Sequence, residues 1–157
     1  MQWRLMRPED LPVVHRIGNE VHPPHLHEEM EPLRSRFTVG REFCFVLTDG
    51  SHVSGYLVGH LWDDTVPPLN GVLRAPDRPK TAFLHDLAVL PAARGAGAAR
   101  AGVERFLAQA RRCTEHASLV AVNASMPFWH RRGFRVAEAA PGLTLYGADA
   151  VFMTWQP

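Results

Sequence analysis

At 157 residues, with 46 % hydrophobic and 21 % charged side chains, the chain has the balance of a globular protein and a length at which one domain buries roughly 70 % of its unfolded surface. That excludes a disordered, fibrous or collagen-like protein. Seventeen Lys and Arg against sixteen Asp and Glu leave a formal charge of +1, so no global field draws the chain to nucleic acid or to an anionic membrane.

Lys80 is the one lysine among those seventeen cations, an Arg bias read as compositional before functional. Cys44 and Cys113 lack a CxxC spacing and fit a reducing cytoplasm better than a disulfide scaffold. Met1 to Arg16 has no apolar run of the signal-peptide kind, and no stretch nears the ~20 apolar residues of a membrane span.

In chain order, Gln2 to Met6 alternates polar and apolar and predicts a strand. Pro8-Glu9-Asp10 then starts a helix whose apolar positions are Leu11, Val14, Ile17 and Val21. Val21 to Arg36 holds Pro23, Pro24 and Pro32 and is expected to be a loop with one or two helical turns. Phe43 to Leu47 and Gly55 to Trp62 predict an antiparallel hairpin around Asp49-Gly50. Between Asp63 and Lys80, four prolines with Asn70 and Gly71 predict an irregular connection of the kind that often carries function. Thr81 to Leu90 is a strand, Gly97 to Arg112 a helix, Ser118 to Val122 a strand and Ser125 to Arg132 a short helix. Phe134 to Ala137 and Ala150 to Trp155 finish as strands. Strands and helices mixed along one length predict a single α/β domain over residues 1–157.

The segment Leu84 to Arg112 is the most informative. An apolar strand, Pro91, and Arg94-Gly95-Ala96-Gly97-Ala98-Ala99 lead into a helix. Glycines at 95 and 97 let the backbone reach positive φ, and the helix start presents unpaired N–H groups and its positive dipole end, a site suited to a pyrophosphate. A dinucleotide fold is disfavoured, because the third glycine of GxGxxG is absent. The Gly-Lys-Ser/Thr ending of a P-loop is absent too.

Here the sequence resembles the GNAT superfamily of acetyl-CoA-dependent N-acetyltransferases. The family's Arg/Gln-x-x-Gly-x-Gly/Ala motif is matched by Arg94, Gly97 and Ala99, and Leu84-His85-Asp86-Leu87-Ala88-Val89 looks like its fourth strand. A second element, an aromatic pair followed by Gly-Phe, is matched by Phe128-Trp129 and Gly133-Phe134 downstream of Asn123 and Ser125. The resemblance implies a mixed, mostly antiparallel sheet of six to seven strands, helices on both faces, and a splay between strands 4 and 5. It implies acetyl-CoA as co-substrate, no metal, and a small-molecule or peptide amine as acceptor, and it leaves a homodimer open.

Carried onto these positions, the main chain of Leu87, Ala88 and Val89 would hold the pantetheine arm. The N–H groups of Arg94, Gly95, Ala96, Gly97, Ala98 and Ala99 would hold the pyrophosphate. Asn123 and Trp129 would border the arm near the thioester, unless Asn123 only ends its strand and Trp129 only packs. Relatives often carry Glu before the strand-four Asp; this chain has His85-Asp86. An imidazole, whose ordinary pKa near 6.5 suits a base at neutral pH, makes His85 the candidate base, against a structural role beside a neighbouring strand. Strand alternation places His85 and Leu87 on one face and Asp86 on the other. The aromatic pair usually includes a Tyr that protonates the thiolate. Trp129 cannot, and the step falls to Tyr146, His130 or no enzymic acid. The Asn123–Trp129 spacing is also one residue short of the family's.

His22, His25 and His27 with Glu28 and Glu29 read as a solvated loop rather than metal ligands, in a segment that in this family borders the acceptor cleft. Asp63 and Asp64 read as exposed loop charges, or with Asp86 as an attraction for a cationic amine. No cysteine lies in either motif, so direct attack by the amine in a ternary complex is expected. The rivals are an enzyme using a longer acyl-CoA or a protein amine, and a GNAT-like module that binds acetyl-CoA without turnover.

Overall fold

The computed structural model describes residues 1–138 and 142–157. They form a seven-stranded sheet in the order β1-β2-β3-β4-β5-β7-β6. The strands are β1 (Gln2–Leu5), β2 (Phe45–Thr48), β3 (Val53–Trp62), β4 (Thr81–Val89), β5 (Ala117–Ala121), β6 (Arg135–Val136) and β7 (Val151–Trp155). All neighbours pair antiparallel except β4 and β5.

The helices are α1 (Leu11–Val21), α2 (Met30–Val39), α3 (Ala98–Cys113) and α4 (Met126–His130). The helix α2 corrects the expectation of a mere turn or two: Pro32 stands in its first turn, where its missing N–H has no intrahelical acceptor to lose. A short 3-10 turn at Leu143–Tyr146 carried no pattern in the sequence.

Strand alternation divides the core. Leu57, Ala82, Leu84 and Val89 meet Val103 and Phe106 of α3 on one face. Tyr56, Val58 and Ala88 meet Val14 and Ile17 of α1 and Leu33 and Phe37 of α2 on the other. Each layer buries the apolar stripe of its helices, and that burial is the main driving force for the arrangement.

Two irregularities open the middle of the sheet. First, β4 pairs with β5 only across Ala82–Leu84 and Ala117–Leu119, after which the strands part. Second, Asp86 pairs with Val58 but Leu84 with Gly59, which leaves His85 as the extra residue of a β-bulge at the point of separation.

Candidate functional site

The bulge overturns the alternation expected for His85 and Asp86. Both side chains lie on the α1/α2 face, while Leu84 and Leu87 pack toward α3. Two carboxylate–imidazole pairs therefore stand side by side.

In the first pair, His85 Nε2 lies 3.0 Å from Oε2 of Glu28. The His85 side chain is only 4 % exposed, and its Nδ1 is buried without a hydrogen-bond partner among the described residues. Glu28 also accepts from Arg36 Nε at 2.9 Å. Burial would raise the Glu28 pKa, but His85 and Arg36 outweigh it and hold the carboxyl below its ordinary range.

Arg36 is fully buried. Beyond Glu28 its guanidinium donates to the Pro68 carbonyl, to the Leu69 carbonyl at 3.1 Å and to His60 Nε2 at 3.3 Å. It thereby ties the irregular 63–80 connection to the site. His60 Nδ1 donates to Leu61 O at 3.1 Å, and burial beside Arg36 lowers its pKa to about 3, so that this imidazole is neutral.

In the second pair, Asp86 Oδ1 lies 2.7 Å from His22 Nε2 and Oδ2 accepts from the Tyr56 hydroxyl at 2.5 Å. Desolvation works to raise the Asp86 pKa; His22, His85 and the Tyr56 hydroxyl more than compensate and the net direction is down. Desolvation works to lower the His22 pKa; Asp86 outweighs it and the net direction is up.

The parted strands enclose a cleft of about 340 Å³ whose lining includes His22, His85, Leu87, Arg94, Asn123 and Trp129. Between Arg94 and Ala99, which line the cleft, Gly95, Ala96 and Gly97 take φ of 95°, 51° and 74° in succession and line a second cavity of about 330 Å³ with Trp3 and Leu47. A Cβ at Gly95 or Gly97 would meet nothing within 4 Å among the described residues. Gly97 is also the N-cap of α3 and provides no side-chain cap. Two of the N–H groups expected to face an anion are used within the turn, Arg94 N–H donating to Pro91 O and Ala98 N–H to Gly95 O, both at 3.2 Å, so among the described residues those of Gly95, Ala96, Gly97 and Ala99 are the ones left for an anion. Arg94 is turned back, its Nε donating to Val89 O at 2.9 Å.

Asn123 has φ 55°, a conformation its short amide side chain tolerates. Trp129 is buried, stands edge-on to Phe128 at 4.9 Å and donates from Nε1 to Ser125 Oγ at 3.2 Å. Its N–H is used within its own turn.

Adjoining the cleft, and sharing His22, His85, Asp86, Val120 and Val122 with it, lies a cavity of about 40 Å³ whose lining also includes Glu28 and Tyr146. Tyr146 is placed here, its hydroxyl donating to Pro67 O at 2.8 Å and its pKa pushed up mainly by burial. His130 is exposed on α4. Asp64 pairs with Lys80 at 3.1 Å on the surface, away from Asp86.

Arg36, Tyr56 and His60 were outside the sequence-derived candidate set, and His22 and Glu28 figured there in a loop read as solvated or as bordering the acceptor cleft. Among the described residues no three His, Cys, Asp or Glu side chains gather to hold a metal ion, and no helix is long and apolar enough to cross a membrane.

Solved structures share this architecture. The GphF GNAT-like decarboxylase in complex with isobutyryl-CoA superposes with TM-score 0.81 at 18 % identity, covering 99 % of both chains. Ard1 from Thermoplasma volcanium gives 0.75 at 20 % identity, over 99 % of this chain and 96 % of that one. Arabidopsis thaliana Naa50 in complex with the bisubstrate analogue CoA-Ac-MVNAL gives 0.75 at 12 % identity, over 99 % and 98 %. No curated protein matches the chain. The pattern of the acetyltransferase (GNAT) family matches residues 8–134. The structural likenesses establish the fold, and the match over residues 8–134 establishes that the chain belongs to the acetyltransferase (GNAT) family.

Proposed function

We propose that the protein transfers an acetyl group from acetyl-CoA to a primary amine by direct attack in a ternary complex, with His85 as general base. The observation that carries this is the unpartnered Nδ1 of His85 at the fork between β4 and β5, on a ring whose other nitrogen is held by Glu28. With Nε2–H donated to the carboxylate, Nδ1 bears the lone pair that accepts a proton from the attacking amine. Glu28 acts as a positioning residue.

The open left-handed turn Gly95–Gly97 and the uncapped start of α3 take the pyrophosphate, and Leu87 to Val89, Asn123 and Trp129 flank the pantetheine arm. The amine reaches His85 from the side of the 40 Å³ cavity, which holds only its reacting end. Glu28 and Asp86 place their carboxylates in that cavity, paired with Arg36 and His22, and Tyr146 forms part of its wall. Both a small amine and a peptide N-terminus satisfy these requirements; the Naa50 complex holds a peptide-derived analogue. Release of coenzyme A thiol across a panel of small amines and peptides tests the proposal. Tight acetyl-CoA binding with no release for any of them would replace it by a binding module.

A second reading, a longer acyl donor, is favoured by Val21, Val120 and Val122, which give the cleft an apolar wall beside His85. Isobutyryl-CoA, which GphF holds, serves as the alternative donor in the same assay.

A further inference from the structure

The acetyl-transfer reading leaves one proton without a source: the thiolate that departs as the C–S bond breaks must be protonated, and Trp129 stands where relatives carry an acidic hydroxyl. The sulfur is expected where the cleft meets the His85 bulge, since the arm runs from the Gly95–Gly97 turn along Leu87–Val89. His22 reaches this point. It lines the cofactor cleft and the acceptor-side cavity alike. It stands at the C-terminal end of α1, in β conformation with φ −91° and ψ 150°, and its main-chain oxygen is bonded by His27 Nε2 at 2.8 Å.

We propose that His22 is a catalytic residue, the general acid that protonates the coenzyme A thiolate, held in place by Asp86 and Tyr56. The geometry separates the two imidazoles. His85 is enclosed, 4 % exposed, with an acceptor nitrogen awaiting a proton. His22 is 15 % exposed; its Nε2 is held by Asp86 and its Nδ1 makes no hydrogen bond among the described residues. An imidazolium in that position donates Nε2–H to Asp86 and keeps Nδ1–H free to donate to a group in the cleft that His22 lines. The groups facing it are Asp86 on β4, Tyr56 of β3 behind that carboxylate, and Glu28, His27 and His85 nearby; the two carboxylates favour its charged form. Tyr146, by contrast, spends its hydroxyl proton on the Pro67 carbonyl.

The proton balance closes. The amine nitrogen bonds to the acetyl carbon and gives its proton to His85 Nδ1. The C–S bond breaks with its electron pair on sulfur, and that pair takes the proton from His22 Nδ1. Solvent then removes the proton from His85 and restores the one on His22.

Two measurements test the assignment. The first needs no acceptor: ultraviolet absorbance follows ionisation of the coenzyme A thiol in the wild-type complex and in complexes of His22→Gln, or of His22→Asn should the first variant fail to fold. A nearby imidazolium stabilises thiolate, so the bound thiol should ionise about one pH unit lower in the wild type than in the variant, with coenzyme A affinity changed less than about threefold. Identical titration in two complexes that both bind coenzyme A overturns the acid role of His22. Failure of the wild type to bind coenzyme A overturns instead the acetyl-transfer reading on which it rests.

The second uses hydroxylamine as nucleophile, small enough for the acceptor side and already unprotonated at neutral pH. Thiol release should then fall roughly 10²-fold in His22→Gln but only a few-fold in His85→Gln, because the N–H of the hydroxylamine adduct is acidic enough to give its proton to water in place of His85, whereas the departing thiolate still takes its proton from His22. Loss confined to His85→Gln overturns the proposal.

Discussion

Nε2 of His85 lies 3.0 Å from Oε2 of Glu28, a contact between residues 57 positions apart in the chain. The same carboxylate pairs with the fully buried guanidinium of Arg36, so Glu28 joins the α1–α2 connection, α2 and β4 at one point. Its removal should affect stability and chemistry together.

Glu28→Gln keeps the size of the side chain and removes the charge that compensates Arg36. Breaking a buried pair in this way costs roughly 3 kcal/mol or more, which for a chain of this size lowers the melting temperature by about 6 °C or more. The pH dependence has a definite sign. Because the folded-state pKa of Glu28 lies below its ordinary value of 4.5, its stabilisation is complete above that value and is lost as pH falls through the lower, folded one. The gap in melting temperature between wild type and Glu28→Gln should be widest near neutrality and narrow below pH 4.5; a gap constant with pH would mean that the charge is not what stabilises the site.

Ligand stabilisation tests the cofactor end of the cleft. At one hundred times its dissociation constant acetyl-CoA contributes about 2.7 kcal/mol and should raise the melting temperature by about 5–10 °C, whereas NAD should not. Gly97→Glu should abolish the shift, since it puts a side chain at φ 74° and a negative charge at the phosphate position. A variant that folds and still responds to acetyl-CoA would move the pyrophosphate site away from the start of α3.

The sheet offers a test independent of function. A Cβ at Gly59 would lie 2.5 Å from Phe106 Cε2 and 2.9 Å from the Phe83 carbonyl oxygen, so Gly59→Ala forces α3 away from β3. Overpacking of this kind costs about 1–3 kcal/mol, and the melting temperature should fall by about 2 °C or more. An unchanged melting temperature is incompatible with this helix-to-sheet spacing.

Which of these features the sequence conveys depends on range. Asp49-Gly50 and Arg94 to Ala99 are local signals: a turn or a helix start needs only its own few residues, and both stand at the expected places. The same-face placement of His85 and Asp86 depends on the register of β4 against β3, which alternation within one strand cannot reveal. His22–Asp86 and Glu28–His85 close over 64 and 57 residues, and nothing in a Pro-rich loop marks which of its side chains will turn inward. Pro32 misleads in the opposite sense: proline breaks a helix from its interior, but here it stands in the first turn and is compatible with one.

The assignment of His85 as base leads to the most specific expectation. In His85→Gln the amide can still donate to Glu28, so the support of the site persists while the proton acceptor is lost. Removal of a positioned base lowers kcat/KM by about 10²–10⁴-fold, roughly 3–5 kcal/mol, while loss of packing alone would appear in stability and hardly in rate. With an alkyl amine that supports thiol release in the wild type, the variant should bind acetyl-CoA normally and lose rate by that factor. With hydroxylamine the deficit should shrink to a few-fold. Should His85→Gln instead lose the same factor with both nucleophiles, His85 would be acting on the thioester or on the architecture of the bulge, and proton removal would pass to Asp86, a water chain or the unprotonated fraction of the amine.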